Sequence, residues 1–168
     1  YTVAAPLPSK IASKVVGGDP RRDAPDGVIQ SDIVREVNRS GKVVWEWRIW
    51  DHIAPNDFPI HSIFDRRHWP MINGVHLTSD GLVLMSLRTT SGIIAVNKSN
   101  GEITWHIGHE LVAQQHTPIQ TENNTILCFD NGNVRRGSNS PISRILEFDP
   151  ITKNVVWSYT DPHPPSFF

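Results

Sequence analysis

The chain has 168 residues, 17 acidic against 16 basic, a formal charge of -1, and no more than two consecutive Lys or Arg anywhere. That balance excludes the basic footprint of a nucleic-acid binder. No stretch approaches the run of about 18 apolar residues that a membrane-spanning helix needs, and the length suits one domain with a sizeable core.

In chain order, residues 1–25 are rich in Pro, Lys, Ala and Gly (PLPSK, GGDPRRDAPDG) and read as an extended arm. Residues 33–47 (IVREVNRSGKVVWEW) alternate apolar and polar, turn at Asn38 and Gly41, and end on Trp. The same pattern returns at 93–107 (IIAVNKSNGEITWHI) and at 145–159 (ILEFDPITKNVVWSY). In each copy an Asx residue caps a turn with its own side chain. Gly41 and Gly101 supply positive φ where the hairpin reverses, and Asn154 is expected to do so in the third copy. The repeated Trp45, Trp105 and Trp157 are expected to pack between neighbouring repeats.

A second type of strand pair precedes the later copies, at 75–88 (VHLTSDGLVLMSLR) and 116–132 (HTPIQTENNTILCFDNG), with reversals at Asp80-Gly81 and Asn123-Asn124. Four short antiparallel strands recurring every 50–60 residues have the spacing of β-propeller blades. The expectation is an all-β chain: a blade fragment at 26–50, a connecting loop at 51–67, blades at 68–108 and 110–160, and a tail at 161–168. Two and a half to three blades do not close a ring, so a fragment, or a subunit completed by missing blades or other chains, is expected.

Cys128 is the single cysteine and reads as a buried small hydrophobe. No histidine pair has zinc-like spacing with a third ligand, and no glycine-rich phosphate loop follows a strand; neither a metal nor a cofactor is expected. Sequons at Asn38, Asn97 and Asn123 are compatible with a secretory route but arise often by chance; the expected location is secreted or periplasmic.

Propeller ligands meet polar residues where the inner strands begin. Asn73 and His76 lead one inner strand, His116 leads the next behind Gln114 and Gln115, and Arg88 and Asn131 follow the second strand of each pair. A histidine so placed is a candidate base or nucleophile. An arginine beside it would hold a tetrahedral oxyanion with its fork of donors. His116, Arg88 and Asn73 are therefore the candidate catalytic group, suited to a sulfuryl or phosphoryl group. Trp69, in the loop before an inner strand, is a candidate for stacking an aryl ligand.

These stretches together, from SDIVREVNRSGKVVWEWRIWDHIAPNDFP through WPMINGVHLTSDGLVLMSLR and QQHTPIQTENNTILCFDNG to SRILEFDPITKNVVWSY, resemble the arylsulfotransferase family over residues 27–168. The resemblance implies a six-bladed propeller that moves a sulfuryl group from an aryl sulfate to a phenolic acceptor through a sulfated histidine. It implies Arg88 as the strand-end arginine, Asn73 as the Asn of the family's His-x-Asn, and His116 as the nucleophile. His52 matches a recurrent family histidine. Two positions depart: Met71 stands where the family has a histidine, and Thr117 follows His116 where Asp is usual. A thioether can donate no proton, which leaves His68 to supply an imidazole from its loop. The alternative reading is a non-catalytic propeller fragment that binds or supports a larger assembly. A quinoprotein-like propeller is disfavoured, because the axial acidic and Asn ligands its calcium and quinone require do not assemble.

Overall fold

A computed structural model of the protein describes residues 1–135, 137 and 142–161; most of the expected tail therefore lies outside the described residues. The chain is all-β, with three antiparallel sheets of three, four and four strands, in two compact units, residues 1–72 and 73–168.

In the first unit, β1 (Thr2–Pro6), β2 (Gln30–Val37) and β3 (Val43–Arg48) form the three-stranded sheet in the order β1-β2-β3. Residues 1–25, read as an arm, thus begin with a paired strand: Thr2 faces Val34 and Pro6 faces Gln30. Proline has no ladder N–H to give, and an edge strand tolerates it. A short helix, α1 (Ser9–Ala12), follows. Leu7, Val34, Trp47, Ile49, Ile60 and Trp69 are buried here.

In the second unit, β4 (Ile72–Leu77, whose first residue closes the preceding unit), β5 (Leu82–Leu87), β6 (Gly92–Asn97) and β7 (Ile103–Ile107) form one sheet. β8 (Gln115–Gln120), β9 (Ile126–Asp130), β10 (Arg144–Phe148) and β11 (Val155–Tyr159) form the other, each in simple meander order. β5 and β6 read as almost unbroken apolar runs because both their faces are covered. Leu84, Ile93, Ile107, Leu146 and Phe148, all at 0 % exposure, form one cluster with Ile126 and Cys128. Each of its Leu, Ile and Phe side chains contributes roughly 1.5–3 kcal/mol by leaving water.

The three repeats share one irregularity. The ladder shifts by one residue after Glu36↔Trp45, after Ala95↔Trp105 and after Glu147↔Trp157. Each repeated Trp thus follows a bulge, which adds local twist. Asn38, Asn97 and Asp149 each accept from a backbone N–H two residues on, the expected Asx turn.

Two expectations about the repeated hairpins change. In the third hairpin the left-handed residue is Lys153 (φ 60°), not Asn154. Asp149 N–H donates to Asn154 O just as Asn97 N–H donates to Glu102 O, which aligns Lys153 with Gly101. Trp157 is 48 % exposed and stacks on Tyr159 at 6.4 Å, so among the described residues it is only half covered. Trp105, by contrast, packs against the apolar cluster.

Cys128 is buried, and burial, with Asp130 adding to it, pushes its thiol up to about 12. The folded protein is expected to resist alkylation at pH 8 and to react once unfolded, a contrast that mass spectrometry after iodoacetamide reads directly. Labelling at the rate of a free thiol would contradict the burial.

Candidate active site

His116 owes its position to a defect in β8. Gln115 pairs with Asp130 and His116 with Phe129, but the next partners are Ile119 and Leu127, one residue out of step. Thr117 takes up the extra residue in the left-handed region (φ 48°), which is costly for a β-branched side chain. Pro118 follows, where a missing N–H does no harm in a bulge. Gln114 is also left-handed (φ 55°).

The bulge has a matching vacancy across from it. A Cβ on Gly74 of β4 would lie 2.9 Å from Thr117 N and 3.1 Å from Pro118 Cδ, so only glycine lets the two backbones come this close. That approach brings the preceding residue, Asn73, onto the bulged strand. Its Nδ2 donates to Gln115 O at 2.9 Å and lies 3.1 Å from His116 Nδ1.

Gln115, fully buried, is the platform beneath. Its Nε2 donates to Ser86 Oγ (2.9 Å) and Gly92 O (2.6 Å), while Ser86 Oγ donates back to Gln115 O (3.0 Å). Asn73 Oδ1 and Gln115 Oε1 are buried with no hydrogen-bond partner among the described residues. Gln114 is held as firmly. Its N–H donates to Ser91 Oγ, its carbonyl accepts from Asn131 Nδ2 at 2.9 Å, and its side-chain oxygen accepts from Asn133 Nδ2.

Arg88, partly buried directly after β5, completes the group. Burial first, and the Arg88 charge second, push the His116 pKa below the ordinary histidine value. Both causes favour the neutral ring, the state a nucleophile or base requires. Asp130, at the end of β9 and paired across the sheet with Gln115, is wholly buried. It accepts from Ala113 N–H at 2.7 Å, Arg144 Nε at 2.8 Å and Arg135 Nη2 at 2.9 Å.

The other three predicted residues lie in the first unit. His68 Nε2 is 2.9 Å from Oδ2 of Asp32, a buried carboxylate that also accepts the Ile72 N–H at 3.0 Å. Asp32 thereby ties down both ends of the turn carrying Met71, which is left-handed at φ 63°. Trp69 is fully buried, and its indole N–H donates to Phe58 O at 2.8 Å. It presents no face for a ligand to stack on; it fills the core beneath its loop. His52 stacks on Trp47 with ring centroids 4.4 Å apart, and burial lowers its pKa against the pull of Asp51. His52 also lines a cavity of about 370 Å³ with Trp50 and Pro55. A larger one of about 500 Å³ is lined by Leu7, Ser13, Asp23 and Arg66, and none of the predicted site residues borders it.

Among the described residues no group of three or more His, Cys, Asp or Glu is arranged to hold a metal ion. No helix there is long and apolar enough to cross a membrane.

The family profile described as Arylsulfotransferase (ASST) matches residues 18–114, more than half of the chain. The chain belongs to the arylsulfotransferase family. No curated protein matches it. The arylsulfotransferase match takes in His52, His68, Met71, Asn73 and Arg88, and it ends two residues before His116.

Sequence reasoning placed Asn73, Arg88 and His116 in one group, and they lie together in the second unit. It missed Gln115 and Ser86 beneath them, and it missed Asp32 and Asp130. The adjacent glutamines in QQH were the available signal for the platform, since two amides running into a strand need buried partners.

Proposed function

We propose that the protein transfers a sulfuryl group from an aryl sulfate to a phenolic acceptor, with His116 as the nucleophile and Arg88 and Asn73 beside it. The observation that carries this reading is a partly buried imidazole in contact with Asn73 and beside the Arg88 guanidinium, whose charge favours the neutral ring. Family membership supplies the aryl sulfate as the substrate class. The sheets of this chain are proposed to serve as blades of a propeller whose other blades come from further sequence or further chains, in a secreted or periplasmic setting.

The transfer has two steps. An imidazole nitrogen attacks sulfur, the N–S bond forms, the S–O bond to the ring breaks, and phenolate leaves with the electron pair. The acceptor phenol then attacks the same sulfur, returns the imidazole, and loses its proton to balance the one that the first phenolate takes up. Arg88 offsets the negative charge gathering on the sulfuryl oxygens. Met71 can offer no proton to the leaving phenolate, so donors whose phenols are good leaving groups should be favoured.

The deciding experiment is to incubate the protein with 4-nitrophenyl sulfate and measure intact mass. One added SO₃ group, mapped to the peptide containing His116 and lost on adding a phenol, supports the proposal. Release of nitrophenolate with no covalent mass gain would overturn the histidine route. The second reading, a binding or structural subunit, is favoured by Met71 and by the apolar surface that β11 leaves exposed at Val156, Trp157 and Tyr159.

A further inference from the structure

An amide nitrogen can only donate, so the short contact from Asn73 Nδ2 makes His116 Nδ1 an acceptor. A neutral imidazole has one ring proton, which then belongs on Nε2. That state can donate a hydrogen bond to a sulfate oxygen, but its Nε2 has no lone pair with which to attack sulfur. The same amide leaves Oδ1 buried without a partner among the described residues. Turning it by half a revolution about χ2 would place Oδ1 against Nδ1, as acceptor for a proton there, and would free the Nε2 lone pair.

We infer that Asn73 is a positioning residue that keeps the His116 ring proton on Nε2 in the empty site, and that its amide must turn over before Nε2 can attack. In the resting orientation the amide donates two bonds, to His116 and to Gln115 O. In the turned one it accepts a single bond, so the resting form dominates until substrate arrives. The turn also sets Oδ1 against Gln115 O, a repulsion that weights the resting form further, although Gln115 O keeps the hydrogen of Ser86 Oγ at 3.0 Å. During the change the Nε2 proton leaves to water and water returns one to Nδ1, so the ring stays neutral. The catalytic half of this inference rests on His116 being the nucleophile; the tautomer half does not.

The test is long-range ¹H–¹⁵N correlation of histidine-labelled protein at pH 8, with the His116 signals identified by their loss in His116→Gln. The Nε2–H form already leads modestly in free histidine. Wild type should exceed that lead, reaching roughly tenfold or more for one net hydrogen bond. Asn73→Ala should fall back to the free ratio, and Asn73→Asp, whose carboxylate can only accept, should reverse it. Asn73→Asp should also form the sulfuryl adduct faster than Asn73→Ala. A wild-type ratio no higher than free histidine overturns the inference even if neither variant folds, as does a ratio that Asn73→Ala leaves unchanged. The expected tautomers with no adduct in any variant would leave Asn73's control of the proton standing and sink the sulfuryl-transfer reading.

Discussion

Replacing His116 with alanine is expected to slow turnover of an aryl sulfate by at least about 10³-fold, the scale seen when a covalent nucleophile is removed. The fold should persist, because the buried anchor of this strand is Gln115 and not the histidine. The pH dependence gives an independent check. Attack needs the neutral ring, so kcat/KM should fall as pH drops through the His116 pKa in the free enzyme. Burial and Arg88 both hold that value down, which places the acid limb below the ordinary histidine value near 6.5. Arg88→Ala removes one of the two causes and should move the limb upward. The linkage sign is the same for the fold: between the lowered folded value and about 6.5 the unfolded chain binds more protons, so stability declines on acidification through that window. Full activity in His116→Ala, with burst kinetics intact, would show that another group carries the sulfuryl.

Asp130→Ala should be the most damaging single change to stability. The carboxylate is wholly buried and receives the Ala113 N–H together with Arg135 and Arg144. Removing it leaves two partly buried guanidiniums without their shared counter-charge and one buried N–H without an acceptor. Breaking such a pair from one side costs about 3–5 kcal/mol, against a total of about 5–15 kcal/mol for a domain. A urea titration should show the midpoint falling sharply with the slope retained. Asp130→Asn has the same shape and should recover little, because its NH₂ group would confront a guanidinium or the Ala113 N–H. A midpoint within experimental error of wild type in Asp130→Ala would mean that the cluster contributes no net stability.

The parts of this architecture that were legible in the sequence are the short-range ones. Asn38, Asn97 and Asp149 each act within a few residues of themselves, so the three hairpins can be read from local pattern alone. Asn73, Arg88 and His116 were legible together because each sits next to a strand end that apolar alternation marks. β1 was not: its partner lies some thirty residues away, and the Pro and Ala in it do not look like a strand until β2 supplies the ladder. Asp32 and Asp130 were hidden for the same reason, since a carboxylate announces nothing about partners such as His68 and Ile72, or Arg144, far along the chain. Lys153 eluded a residue-preference argument: position in the turn, not intrinsic liking for the left-handed region, decided which residue takes it.

The hairpins hold one further consequence. The first closes with Asn38 N–H on Lys42 O, the second with Asn97 N–H on Glu102 O, a loop longer by one. Yet Trp45 and Trp105 occupy the same place beyond the bulge in both. Length added at the tip is absorbed there and never reaches the strands. A peptide grafted between Asn97 and Glu102 should therefore leave every side chain behind it on its own face, which makes the hairpin tips natural points of insertion for a tag or a sensor.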